Sequence, residues 1–219
     1  METIEINMTD NYGEKCIRDS VNASKKSDSL KPEGYVEIYE MDDNGNRVLV
    51  SKSNLVLYMG REWIAERLTN TNNSATNTDQ TMFISWFGIG TGGALATDPF
   101  NPISPNSTDT GLLSEVPFNA TSTTYGDFRS GEYYKHPFDS VTFQQDSANA
   151  NHYLIASITT TIGVADCNGS NVNEAALFVS SSTAGGFAGP FFVFSKITFP
   201  TITKNNTRQL VFVWYIYVW

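Results

Sequence analysis

The sequence predicts an all-β fold: an antiparallel, jelly-roll-like β-sandwich with one short helix and an extended N-terminal arm. Three observations lead there. Short apolar runs alternate with polar residues at period two, Gly, Pro and Asn separate those runs, and polarity comes from Asn, Thr and Ser rather than from charge. Charged residues make up 17% of the chain, against about a quarter in typical soluble domains, while aromatics reach 13%. Thr and Ser suit the wet faces of strands, and Asn and Gly suit turns. The length of 219 residues fits one large domain, with expected boundaries of 1–31 for the arm and 32–219 for the sandwich.

Residues 1–31 carry Asn, Ser, Lys and Asp with almost no periodic hydrophobics, the pattern of a flexible or extended arm. The first strands are expected at Tyr35–Tyr39 and Arg47–Val50, around Asp42-Asp43-Asn44-Gly45-Asn46. Asn-Gly between β-prone runs marks a tight hairpin, because both residues tolerate positive φ. The carboxylates there lack the spacing and the closing glutamate of a calcium loop, so a solvated turn is expected. A strand at Ser53–Tyr58 runs into Gly60–Leu68, where Ile64 and Leu68 stack at i, i+4 beside Glu62 and Glu66. This is the predicted helix, placed to plug an open end of the sandwich.

Beyond the loop Thr69–Gln80, strands are expected at Met82–Gly90, Ser140–Gln144, Tyr153–Ile162, Glu174–Val179 and Phe191–Phe199. A long loop broken by Pro99, Pro102 and Pro105 lies between the first two. Along Tyr153–Ile162, Leu154, Ala156, Ile158 and Ile162 oppose Ser157, Thr159 and Thr161, as in a sheet with one wet side.

The chain closes on Leu210–Trp219, an unbroken apolar and aromatic run. Alternation places Leu210, Phe212, Trp214, Ile216 and Val218 on one face and Val211, Val213, Tyr215, Tyr217 and Trp219 on the other. Neither row is polar, so both faces require cover. The second sheet supplies one cover and another chain the other, since a bare aromatic strand invites aggregation. Val211, Val213, Tyr215, Tyr217 and Trp219 are therefore the candidate assembly interface, with Phe212 and Trp214 as the alternative face, and a second copy of the chain is the expected partner.

The net charge of −9 repels phosphate backbones and anionic membranes, so neither nucleic acid nor membrane is an expected partner. The terminal run is about half of the ~20 residues a spanning helix needs. Met1–Asp10 is acidic and polar, which predicts no secretory signal. Cys16 and Cys167 lie far apart in sequence; a disulfide between them is conceivable, but two unpaired thiols are the favoured expectation, and the seven N-x-S/T triplets are read as a consequence of Asn, Ser and Thr richness.

Gly88-Ile89-Gly90-Thr91-Gly92-Gly93 superficially resembles a dinucleotide loop, but prolines follow where a helix must begin, and the P-loop lysine is missing. A turn using glycines at positive φ is expected instead. His136, read as a loop residue, and His152, before a strand, have no second ligand at metal spacing; the cysteines form no C-x-x-C pair. G-x-S-x-G and H-E-x-x-H are missing as well. No catalytic, cofactor or metal site is expected. Glu174 enters an apolar strand, where a structural carboxylate accepting backbone N–H groups from a loop is the expectation. Tyr125, Phe128, Tyr133 and Tyr134 have the composition of a sugar platform, although packing within a subunit contact is the reading preferred.

Three stretches, taken in order, resemble a known family. Asn54-Leu55-Val56-Leu57-Tyr58-Met59-Gly60-Arg61 matches an N-L-V-x-x-x-G-R step. Phe87–Gly92 and Thr108–Val116 match V-G-T-G and D-T-x-L-x-S-E-V elements. Asn173–Phe178, Phe194–Lys204 and Leu210–Ile216 match an N-E-A-G-L-F … F-x-x-I-T-K … L-x-V-x-W-x-I ending. Together they are similar to small β-sandwich virion proteins of tailed bacteriophages. The likeness runs with gaps from Asn54 to the C-terminus and departs at Ala176, where glycine is usual, in a longer Pro-rich loop, and in extra aromatics after Trp214. The resemblance implies a non-enzymatic component of the tail, neck, baseplate or fibre attachment, located in the virion and assembled with other virion structural proteins. The alternative on the same fold is a carbohydrate-binding adhesin or capsid decoration module, for which glycan would be the partner.

Overall fold

The structure, a computed structural model, describes residues 33–42, 44–53, 55–56, 60, 83–118, 124–145 and 154–218. The arm over 1–31, Cys16, His152, Trp219 and all of Gly60–Leu68 except Gly60 lie outside the described residues. The strands are β1 (Glu33–Met41), β2 (Arg47–Ser53), β3 (Leu55–Val56), β4 (Phe83–Gly90), β5 (Ala94–Leu95), β6 (Asp98–Pro102), β7 (Gly126–Arg129), β8 (Glu132–Pro137), β9 (Ser140–Gln145), β10 (Leu154–Ile162), β11 (Asn171–Ser180), β12 (Phe192–Thr203) and β13 (Gln209–Val218).

They form two antiparallel sheets, β2-β1-β13-β10-β9 (sheet A) and β3-β12-β11-β4-β8-β7 (sheet B), with β5-β6 as a small ribbon. This is the predicted β-sandwich. The last strand lies at the centre of its sheet: Tyr35 pairs with Tyr215 on one side, and Ser157 pairs with Tyr215 on the other. Sheet A is therefore completed by joining residues far apart in sequence, a non-local closure.

Period-two alternation sets the core. Val36, Ile38, Ile158, Leu210, Phe212, Trp214 and Ile216 of sheet A meet Phe87, Ile89, Leu177, Phe194 and Phe199 of sheet B. The Phe87 ring lies 4.9 Å from Phe212 and 5.6 Å from Trp214, centroid to centroid. Phe212 and Trp214 are wholly buried here, so the alternative contact face of the terminal strand belongs to the protein's own core.

Sheet B has a second apolar layer on its other face. Trp86, Ala176, Phe178 and Val193 are buried there beneath Leu112, Phe187 and Phe191. The Trp86 indole donates to the Ser182 carbonyl at 2.6 Å, and Asp127 N–H donates to Phe187 O at 2.6 Å, holding that segment down.

Several local expectations change. The Asp42–Asn46 turn forms, and among its described residues only Gly45 takes positive φ (81°); Asp42 completes it by accepting the N–H groups of Asn44 and Asn46. A bond from the Asn46 side-chain amide to Asp42 Oδ2 (2.8 Å), followed by those backbone bonds, holds the Asp42 carboxyl below its usual range. The supposed proline loop contains the β5-β6 ribbon, with Pro99 and Pro102 on a short peripheral strand where a missing N–H costs little. β12 continues through Pro200 because its pairing with β11 shifts register between Val172 and Glu174, leaving proline where the ladder is interrupted. β7 and β8 form a hairpin turning at Ser130 (φ 51°) and Gly131 (φ 96°), so His136 belongs to a strand rather than a loop.

Candidate functional site

The outer face of β13 brings together four of the five residues proposed as an interface. Antiparallel partners share a face, so the register adds Tyr35, Glu37 and Tyr39 from β1 and Ile155, Ser157, Thr159 and Thr161 from β10 around Val211, Val213, Tyr215 and Tyr217. Val211 and Val213 are buried between these neighbours, and Tyr215 and Tyr217 are half-buried. Tyr35 stacks at 4.6 Å from Tyr215 and 6.0 Å from Tyr217. The β1 residues were legible as strand but not as part of the face; their alternation with Val36 and Ile38 was the signal.

Glu37 is the acidic member of this face. The Tyr39 hydroxyl donates to its Oε2 at 2.6 Å, and that bond, followed by burial, pushes the Tyr39 phenol up to about 12. Burial, then the Tyr217 hydrogen bond, raises Tyr35 further; burial, then Glu37, raises Tyr215. These phenols remain protonated donors throughout the physiological range. The result is an aromatic and aliphatic surface bearing hydroxyl donors and a carboxylate. The polarity missing from β13 itself comes from the strands on either side.

Sheet B carries Asp127, Lys135, Glu174 and Lys196, four of the six buried charged side chains among the described residues. Glu174, fully buried on β11, accepts Gly92 N–H (3.1 Å) and Ser114 N–H (2.9 Å) at Oε1, and Leu113 N–H (3.1 Å) at Oε2. Lys196 Nζ lies 3.2 Å from the same Oε2. The expected loop-holding role is thus present, and two loops are stapled rather than one. Beside it, Asn173 Oδ1 accepts Gly93 N–H at 2.6 Å. The glycines serve here by lacking a side chain: a Cβ at Gly93 would stand 2.2 Å from the Asn173 carbonyl oxygen, and one at Gly90 2.5 Å from Glu174 Oε1. None of Gly88, Gly90, Gly92 and Gly93 takes positive φ, so close approach replaces the turn conformation expected.

Lys196 forms the floor of a cleft of about 270 Å³ also lined by Gly92, Gly93, Asn106, Asp109 and Thr198. Its three N–H donors already meet Glu174, Asp109 Oδ2 (3.1 Å) and the Gly111 carbonyl (3.3 Å), so the ammonium has no donor left for an anion. Lys135, also buried, meets Glu115 at 2.5 Å and Asp127 at 3.2 Å, with Phe178 4.2 Å beneath it. Arg129 bridges the same two carboxylates. Sequence reading missed both lysines, because partners up to 87 residues away define them.

The other nominated residues disperse. His136 is buried against Tyr125 (4.5 Å) and Phe118 (5.2 Å); its Nδ1 donates to the Pro137 carbonyl, and burial lowers its basicity. Cys167 is a free, half-buried thiol bonded to the Pro117 carbonyl at 3.3 Å, pushed up to about 12 by burial. The four aromatics of the supposed platform divide. Tyr125 packs inward, Tyr134 lies under Arg129 at 4.7 Å, and Phe128 pairs with Tyr133 at 4.9 Å on the surface. No protein-family model matches the chain, and neither does any curated protein or solved structure.

Proposed function

We propose that the chain is a non-enzymatic structural subunit of a tailed-bacteriophage particle, a component of the tail, neck or baseplate that oligomerises through the outer face of β13 and joins other virion proteins. The contrast between the two outer sheet faces carries this reading. Sheet B buries its outer apolar residues beneath Leu112, Phe187 and Phe191, whereas the corresponding face of sheet A leaves the Tyr215 and Tyr217 rings half-buried. A surface of that composition is completed by a partner.

The virion resemblance supports the same reading through its location. The Phe87–Gly92, Thr108–Val116 and Asn173–Phe178 stretches, together with Lys196, converge on Glu174. What resembles those proteins is a scaffold node. The four acceptor positions of the carboxylate are occupied by three N–H groups and an ammonium, which leaves no lone pair for proton transfer.

The alternative, a carbohydrate-binding adhesin or decoration module, has one observation in its favour: the Phe128–Tyr133 pair, half-exposed at Phe128 and flanked by Arg129 and Glu132. Light scattering on the full chain separates the two readings. An oligomer at micromolar concentration is expected, as for a contact burying on the order of 1,600 Å², with no signal on a glycan array. A monomer persisting to about 100 μM, with glycan binding abolished by Phe128→Ala, would replace the structural reading with the second.

A further inference from the structure

Among the described residues four strands end the two sheets: β2 and β9 in sheet A, β3 and β7 in sheet B. Edge strands present unpaired N–H and C=O groups, and proteins guard them with charge, bulges, kinks or brevity. β2 carries Arg47 and Lys52, and its register against β1 shifts between Ile38 and Tyr39. β3 has two residues. β7 carries Asp127 and Arg129 and bends at Asp127, where φ is 57°. β9 has none of these protections. It reads Ser140-Val141-Thr142-Phe143-Gln144-Gln145, without charge, glycine or proline, and pairs with β10 in unbroken register.

Its faces are equally telling. Val141 pairs with Ile158 and Phe143 with Ala156, so both side chains occupy the core-facing side of sheet A. Yet Val141 is 45% exposed and Phe143 66% exposed. Ser140, Thr142 and Gln144 lie on the other face, opposite Thr159, Ser157 and Ile155. A chain of net charge −9 repels its own copies; Ser140–Gln145 and its partner strand Leu154–Ile162 carry no charge, although the exposed Asp139 stands just before β9.

We propose that β9 pairs antiparallel with β9 of a second copy about a two-fold axis through Thr142, joining two five-stranded sheets into one. An axis normal to the sheet keeps inner face with inner face, which requires residues of like parity to oppose each other. Centred on Thr142, each Val141 meets Phe143 of the second copy, each Ser140 meets Gln144, and Thr142 meets itself. The inner pairs cover the exposed apolar side chains, and the outer pairs are neutral and hydrogen-bonding. A slip of one residue would set Phe143 on the wet side. This contact uses no residue of the β13 outer face and stands independently of the function proposed above.

A disulfide scan tests it in the full chain with Cys16→Ser and Cys167→Ser. Self-paired residues of an antiparallel ladder have Cα atoms about 4.5–5.5 Å apart, within disulfide reach. Thr142→Cys, an exposed substitution, is expected to form a covalent dimer under mild oxidation at least tenfold faster than Ser140→Cys, whose counterpart is Gln144. Adding Phe143→Lys should abolish that cross-link, whereas adding Tyr215→Lys should leave it in place. Equal cross-linking at positions 140 and 142, no cross-link at 142 in protein shown to be folded by circular dichroism, or loss of the cross-link on Tyr215→Lys would each overturn the proposal.

Discussion

Replacing Glu174 with alanine is expected to lower the unfolding free energy by about 3–5 kcal/mol, the cost of breaking a buried, hydrogen-bonded ion pair from one side. The variant strands the N–H groups of Gly92, Leu113 and Ser114, which donate to the buried carboxylate, and removes one of three acceptors from buried Lys196. Glu174→Gln should cost nearly as much. Its oxygen can serve Gly92 and Ser114, but its amide presents a donor to Leu113 N–H and to the ammonium. Lys196→Met added to Glu174→Ala should restore part of the loss, since a charge with reduced compensation is then no longer buried. Urea denaturation of the parent chain, Glu174→Ala, Lys196→Met and the double variant measures the cycle. A loss below about 1 kcal/mol for Glu174→Ala would mean that the loops are held by other contacts.

Tyr215→Lys is expected to weaken self-association by at least about thirtyfold, the effect of losing an interfacial aromatic worth 2 kcal/mol or more. A charge of either sign at this position would disrupt an apolar contact. The structure favours lysine, because Glu37 lies beside Tyr215 and a new carboxylate would add like-charge repulsion within the monomer. A lysine has a partner there when the monomer is free, yet its ammonium would have to be desolvated at the centre of a contact. Sedimentation velocity over a concentration series checks it. An unchanged association constant in a folded Tyr215→Lys variant would remove this face from the assembly.

Long, strongly patterned strands were legible. β4, β10, β11 and β13 show in the sequence because each keeps its apolar residues in runs or at period two. β5–β8 do not, since Pro99, Pro102 and Gly131 break the pattern and the ribbons are short. Pairing was invisible: nothing local tells Leu210–Val218 that it lies between β1 and β10, so Tyr35, Glu37 and Tyr39 could not be placed beside it. Glu174 could be read as a structural acceptor because a carboxylate in an apolar strand needs one. A lysine in the apolar Phe194–Phe199 segment is the same kind of signal, and Lys196 answers to it through Asp109 and Glu174. The reason for the glycines before β5 lies in the Asn173 and Glu174 atoms they touch, which only the fold brings near.

On this reading another molecule covers the outer face of β13. Hydroxyl-radical footprinting of the full chain, read by mass spectrometry across a dilution series, addresses it most directly. Tyr215 and Tyr217 should be protected in concentrated protein and become several-fold more reactive as it dissociates, while Phe128 changes little. Equal labelling of Tyr215 and Tyr217 at every concentration, in protein whose mass shows that it has assembled, would contradict the account.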